Sequence, residues 1–222
     1  MRAVQLVFIY AAIAFGAYLL GSIPTGYLVA RMRGIDIRSV GSGNIGATNV
    51  FRILGPAAGS GVLMVDGLKG YAACGWLAPL LTRQLAPAAD VGANLPDYLS
   101  LVAGACAVLG HNYTCWLKFK GGKGIATSAG VLAALVPWSF VIILTVFLVT
   151  FATFRFVSLA SIAAALALPF AVWLIHESAV KIAVTTAMAV LAIYKHRANI
   201  RRLLKGTEPR LGASKQPTEA AP

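Results

Sequence analysis

Long apolar stretches alternate along the chain with short polar, glycine-rich ones. About 20 predominantly apolar residues carry a helix across the hydrocarbon core of a bilayer. The apolar runs are Val4–Ala30, Ile53–Leu81, Tyr98–Tyr113, Gly124–Val136, Trp138–Phe154, Val157–Ile175 and Ala179–Tyr194. They predict an all-α polytopic membrane protein with about seven transmembrane helices. The first run is much longer than the ~7–15-residue apolar core of a secretory signal, and no small-residue cleavage site follows it, so it reads as a retained helix. The fourth and fifth runs part at Pro137. Proline also kinks membrane helices without ending them. Residues 1–212 form one membrane domain, and the Pro/Ala-rich stretch 213–222 is expected to be a disordered tail.

Composition agrees. Of 222 residues, 59% are hydrophobic and 12% charged, against about 45–50% and about 25% in a soluble domain. A soluble globule, a disordered chain, a collagen, a coiled coil and a secreted disulfide scaffold are excluded. The net charge is +12. In a soluble protein that surplus would point to nucleic acid; here it points to basic cytoplasmic loops, anionic lipid or anionic substrates, and to no nucleic acid. With seven helices, fifteen of the nineteen Lys and Arg residues fall on one side, in the stretches around Arg31–Arg52, Lys118–Lys123 and Arg155 and in the tail from Lys195. The positive-inside rule makes that side cytoplasmic, with the amino terminus outside and the carboxyl terminus inside. Cys74, Cys106 and Cys115 form no CxxC or ligand cluster and read as reduced structural thiols.

Three polar stretches carry the candidate chemistry, all on the cytoplasmic side. The first is Gly41-Ser-Gly-Asn-Ile-Gly-Ala-Thr-Asn49, followed by Arg52. It matches GxGxxG, but a dinucleotide fingerprint needs a preceding strand and a βαβ unit, and a membrane helix precedes it. Its glycines still let backbone N–H groups converge on an anion, Ser42, Asn44, Thr48 and Asn49 add donors, and a helix starting near Val50 would aim its positive end at the loop. The second stretch is His111-Asn112, then Lys118-Phe-Lys-Gly-Gly-Lys-Gly124. It lacks the Walker A spacing, yet Lys123 sits between glycines at a helix entry, where a phosphate fits. Lys118 and Lys120 read as positive-inside anchors. The third stretch is Lys195-His-Arg-Ala-Asn199, running on to Gly206-Thr-Glu-Pro209. His196 and Asn199 would share one helical face.

Elsewhere, Asp66 and Lys69 stand i, i+3 within an apolar run. Intramembrane charges pair or line polar cavities, and a structural ion pair under the site is expected. Gly55 and Gly59 form a GxxxG of the helix-packing kind. The residues suggest neither a Ser-His-Asp arrangement, nor paired carboxylates, nor a metal site. They describe a cationic, amide-rich cytoplasmic site for one or more phosphates, and leave open an enzyme that works by positioning and electrostatics or a transporter or flippase of an organic phosphate. A transporter would favour midplane sites within inverted repeats, and no repeat is evident. A structural subunit would not need such clusters on one face.

In these motifs, their order and the helix pattern, residues 4–212 resemble the bacterial acyl-phosphate-dependent glycerol-3-phosphate acyltransferase family (PlsY type). The resemblance implies transfer of an acyl group from acyl-phosphate to the 1-hydroxyl of glycerol 3-phosphate, giving lysophosphatidate and phosphate, the first acylation of phospholipid synthesis. It implies no cofactor and no metal, a plasma-membrane enzyme that works as a monomer, and other phospholipid-synthesis enzymes as partners. By this resemblance Ser42, His196 and Asn199 are catalytic. By the same resemblance Arg52, Gly121, Gly122, Lys123, Gly124 and Ser161 bind substrate, with the glycines around Lys123 as the phosphate loop, and the donors of the first loop add Gly43, Thr48 and Asn49 as expected substrate-binding residues. Glu208 joins Asp66 and Lys69 as structural support. The proton acceptor stays open between His196 and a substrate phosphate oxygen.

Overall fold

The computed structural model describes residues 3–86 and 92–212; the tail expected to be disordered, 213–222, lies outside them. The described residues form α-helices joined by loops, with no strand. In order they are α1 (Ala3–Ser22), α2 (Thr25–Arg31), α3 (Ala47–Leu54), α4 (Pro56–Ala72), α5 (Ala78–Leu85), α6 (Leu95–Asn112), α7 (Ile125–Leu135), α8 (Pro137–Phe154), α9 (Val157–Leu174), α10 (Ala179–Lys195) and α11 (Arg197–Leu204). A π-helical turn, Ala73–Leu77, joins α4 to α5, and a short 3₁₀ turn, Cys115–Leu117, follows α6.

Several boundaries differ from the sequence reading. The first apolar run is split between α1 and α2 at Ile23–Pro24. Proline has no N–H and disfavours helix at the residue before it. The freed Ile23 carbonyl accepts instead from Thr25 N at 3.0 Å and from Lys69 Nζ at 3.0 Å. Helix α3 starts at Ala47, about a turn before the expected Val50, so Arg52 is helical. It ends at Gly55, whose φ of 90° lets α4 fold back from Pro56. A Cβ on Gly59 would stand 2.4 Å from Phe51 Cβ, so the GxxxG serves the close contact of α3 and α4. Pro137 does end a helix: α7 stops at Leu135 and α8 begins on the proline. After Lys195 the basic stretch continues as a short helix, α11, which carries Asn199 with His196 at its start.

The helices with a requirement for close packing carry small residues where they touch. Helix α1 lies along α6, and a Cβ on Gly21 would stand 2.0 Å from Ala107 O and one on Gly110 2.2 Å from Tyr18 O. Thr114 Oγ1 donates to Ser22 O at 2.6 Å and Tyr18 Oη to Tyr113 O at 2.7 Å, so the end of α6 is tied to α1. Helix α4 approaches α7 in the same way, through Gly70 and Gly130. Helix α9 packs between α8 and α10.

Among the described residues three helical units are long and apolar enough to cross a membrane: Ala3–Arg31, α8 and α9. A fourth arises if α10 and α11, bent by 55° at His196, count as one. Helix α8 buries only Ser139 and Ile143, leaving Trp138 71% and Val149 61% exposed. An apolar helix presenting such residues outward is a lipid-facing helix.

Candidate active site

The three polar stretches converge. A cavity of about 130 Å³ is walled by Ser42, Thr48, Asn49 and Arg52 from the first, Lys123 and Gly124 from the second, and His196, Asn199 and Glu208 from the third. Ser158 and Ser161 of α9 close one side, and Asp66 and His111 lie at its edge. Gly43, Gly121, Gly122 and Lys69 do not reach the wall.

The first loop is built around Asn49. Its Oδ1 accepts from Ser42 N at 2.9 Å, and its Nδ2 donates to Ile37 O at 3.2 Å and Val40 O at 3.1 Å. Asn49 is 2% exposed, so this side chain, expected to grip substrate, is spent holding the loop. The amides of Ser42, Gly43 and Gly46 are used within the loop as well. The donors that the loop presents are instead the first-turn amides of α3, at Ala47 and Thr48, which have no intrahelical acceptor, together with the Ser42 and Thr48 hydroxyls.

The second loop departs from the expectation in a similar manner. Gly121 N donates to Asn112 O at 3.2 Å and Gly122 N to His111 O at 3.0 Å. Two amides of the expected phosphate loop therefore pin it to the end of α6. Glycine is required there, since a Cβ on Gly121 would lie 2.0 Å from His111 O and one on Gly122 2.1 Å from His111 Nε2. Gly124, with φ of 79°, turns the chain into α7 and leaves Lys123 beside the cavity.

Lys123 Nζ donates to Asn199 Oδ1 at 2.6 Å. Asn199 Nδ2 donates to Glu208 Oε1 at 2.7 Å, which also accepts from Ser158 Oγ at 2.6 Å. Arg202 Nε donates to Glu208 Oε2 at 2.7 Å. Burial alone would push the Glu208 carboxyl up, but the hydrogen bonds from Ser158, Asn199 and Arg202 hold it below the ordinary glutamate range. Ser158 and Arg202 were not among the expected residues; Ser158 stands one turn before Ser161 on α9. Arg52 Nη2 donates to Pro209 O at 3.1 Å while its buried Nε has no partner among the described residues. Ser161 Oγ donates to Val157 O at 2.8 Å.

Burial, with the charges of Arg202, Arg52 and Lys195 around it, lowers the Lys123 ammonium to a pKa of about 8 despite Glu208. Burial next to Lys123 lowers His196 to about 4, so its ring is neutral near pH 7. Its Nδ1 is 2.8 Å from Ala192 O. A carbonyl only accepts, so Nδ1 carries the proton and Nε2 a lone pair. Asp66 and Lys69 form the expected buried ion pair, at 2.8 Å.

Leu63, Ile125, Ala126, Phe147 and Ser161 belong both to the cavity and to an apolar groove of about 310 Å³ between α4, α7, α8, α9 and α10. On the other side of Ser42 and Arg52 a wider hollow of about 590 Å³ carries Arg202 and Arg210. The arrangement is therefore a cation-lined polar chamber with an apolar arm and a basic mouth.

A family model described as glycerol-3-phosphate acyltransferase matches residues 11–206. The glycerol-3-phosphate acyltransferase of Geotalea daltonii is 48% identical over 87% of this chain and 93% of its own length. That of Geobacter sulfurreducens is 46% identical, over 89% and 95%. The crystal structure of PlsY, an integral membrane glycerol 3-phosphate acyltransferase, in its glycerol 3-phosphate form superimposes with a TM-score of 0.80 at 37% identity, covering 91% of this chain and 96% of that one. Its lysophosphatidic acid form gives a TM-score of 0.77. The chain belongs to the glycerol-3-phosphate acyltransferase family, of the PlsY type.

Proposed function

We propose that this protein transfers an acyl group from acyl-phosphate to the 1-hydroxyl of sn-glycerol 3-phosphate, releasing lysophosphatidate and inorganic phosphate. The observation that carries the donor is the junction of chamber and groove. A phosphate-headed acyl chain fits a cationic chamber opening directly into an apolar arm, with its carbonyl at the shared wall of Ile125, Phe147 and Ser161.

The α3 amides at Ala47 and Thr48, with the Ser42 and Thr48 hydroxyls, take the phosphate of the donor and the charge that grows on it as it leaves. Arg52 and Lys123 hold the phosphate of glycerol 3-phosphate, and Ser161 joins them when its hydroxyl exchanges the Val157 carbonyl for a phosphate oxygen. Gly43, Asn49, Gly121, Gly122 and Gly124 shape the two loops. Asn199 and Glu208 act through Lys123, which they hold in place. His196 Nε2 accepts from the glycerol 1-hydroxyl and aims its oxygen at the carbonyl carbon. The new oxygen–carbon bond forms, the carbonyl carbon–phosphate oxygen bond breaks, and phosphate leaves with the bonding pair. His196, at about 4, is a weaker base than a phosphate monoester, whose second pKa is about 6, so the proton that Nε2 takes up from the hydroxyl passes on to an oxygen of the leaving phosphate.

The distribution of Lys and Arg supports seven spans, an outside amino terminus and a chamber open to the cytoplasm from the bacterial plasma membrane.

Purified protein in lipid, given palmitoyl phosphate and glycerol 3-phosphate, should release phosphate and form lysophosphatidate, and Ser42→Ala should lose this activity. Turnover with palmitoyl-CoA would remove the donor assignment. Failure with both donors by demonstrably folded protein would move the reading to transport.

A further inference from the structure

Beneath the chamber, Lys69 Nζ meets three partners: Asp66 Oδ1 at 2.8 Å, Ile23 O at 3.0 Å and His111 Nδ1 at 2.9 Å. An ammonium has three hydrogens and no lone pair. Its contact with Nδ1 is a hydrogen bond only if Nδ1 accepts. Asp66 Oδ1 lies 3.6 Å from the same nitrogen, too far to compete for a proton there. The ring is thereby held neutral, with its hydrogen on Nε2.

That hydrogen has a defined place. Nε2 stands where a Cβ of Gly122 would be, 2.1 Å from that position, and His111 is part of the chamber edge together with Lys123 and Gly124. Among the described residues Nε2 has no hydrogen-bond partner. His111 is 5% exposed, yet Nε2 is not among the wholly buried atoms that lack a partner, so its N–H keeps an opening in a residue that lines the chamber, where an oxygen of the chamber's occupant can accept it. The glycines on either side of Lys123 matter here because the bare Cα of Gly122 makes room for the ring.

We infer that His111 is a substrate-binding residue of the acyl transfer, donating from Nε2 to a phosphate oxygen in the chamber, and that Lys69 is the positioning residue that sets its tautomer. This rests on the acyltransferase reading for the substrate, though the tautomer does not. Both substrates carry phosphate, and the affected Michaelis constant tells which one His111 touches.

Steady-state kinetics of His111→Asn and His111→Gln, with palmitoyl phosphate and glycerol 3-phosphate varied in turn, provide the test. Glutamine places an amide N–H near the Nε2 position, whereas asparagine is too short. The expected result is a KM for one substrate raised roughly 10- to 100-fold in His111→Asn, and recovered to within a few-fold in His111→Gln. Nitrogen-15 spectra of the histidine rings should show the Nε2–H form for His111 in the parent, loss of that preference in Lys69→Met, and a shift of Nε2 on adding inorganic phosphate. Unchanged KM values in folded His111→Asn, equal damage in both variants without a KM change, or an Nδ1–H ring in the parent would overturn the inference. If the parent responds to phosphate at Nε2 yet fails to turn over acyl-phosphate, the acyltransferase reading fails and the anion contact stands.

Discussion

Lys123 and Asn199 meet across the chamber, Nζ to Oδ1, at 2.6 Å. The lysine arrives on a glycine turn ahead of α7 and the asparagine on the first turn of α11, so one hydrogen bond joins segments 76 residues apart. Through Asn199 the ammonium is linked to Glu208, and through Glu208 to α9.

With the chamber empty, Lys123 loses its proton near pH 8. A lowered lysine pKa means that the charged form is complete well below that value and is lost above it. The KM for glycerol 3-phosphate should therefore rise as pH climbs from about 8, approaching tenfold per unit. Lys123→Arg, which keeps its charge in that range, should flatten the rise. Lys123→Ala should raise this KM roughly 10- to 100-fold below pH 8, with the gap to the parent closing as pH rises. A pH series of initial rates for the three proteins checks this.

Glu208→Ala leaves Asn199, Ser158 and Arg202 without their acceptor. It should cost about 1–3 kcal/mol of stability and raise the KM for glycerol 3-phosphate. Ser158→Ala removes one neutral donor and should cost about 1 kcal/mol. Thermal unfolding in detergent together with KM values separates the two.

A methyl group on Gly122 would strike the His111 ring, whereas one on Gly61, in α4, meets nothing within 4 Å. Gly122→Ala should lower both activity and melting temperature. Gly61→Ala should retain activity and gain up to about 1 kcal/mol of helix stability. Equal behaviour of the pair would contradict the packing beneath Lys123.

Ala129 of α7 lines the apolar groove. Ala129→Phe should shorten the usable groove and shift preference toward shorter acyl chains. Each methylene excluded from an apolar site costs about 0.8 kcal/mol. The ratio of kcat/KM for lauroyl over palmitoyl phosphate should rise tenfold or more, with the KM for glycerol 3-phosphate unchanged.

The apolar runs Trp138–Phe154, Val157–Ile175 and Ala179–Tyr194 fall on α8, α9 and α10 because length and composition are written locally, whereas Val4–Ala30 and Ile53–Leu81 each take in more than one helix. Pro137 was legible as a break for the same local reason. Helix α3 was placed late because its N-cap is Gly46, not a Ser, Thr or Asp that would announce a start. Helix α11 follows α10 without Gly or Pro between them, and its three arginines among eight residues hide the helix inside a basic run. The gathering of three polar stretches was readable from their sidedness. The direction of their donors was not. Asn49 and the amides of Gly121 and Gly122 have the right chemistry for an anion, but residue type does not reveal that Val40, Asn112 and His111 offer carbonyls closer at hand. His111 itself gave no clear signal, because its partner Lys69 lies 42 positions away.

The environment of Lys69 also bears on how the protein is assembled. Its partners come from α4 itself, from the break before α2 and from the end of α6. A lone lysine in the middle of a membrane helix costs about 2.5–3.5 kcal/mol to insert. During synthesis the ammonium is matched first by Asp66 of the same helix, and its His111 partner arrives only when α6 has been made and docked on α1. A newly inserted chain missing that docking step would keep the Asp66 pair but leave the ammonium one partner short, a difference by which an unfinished molecule can be told from a finished one.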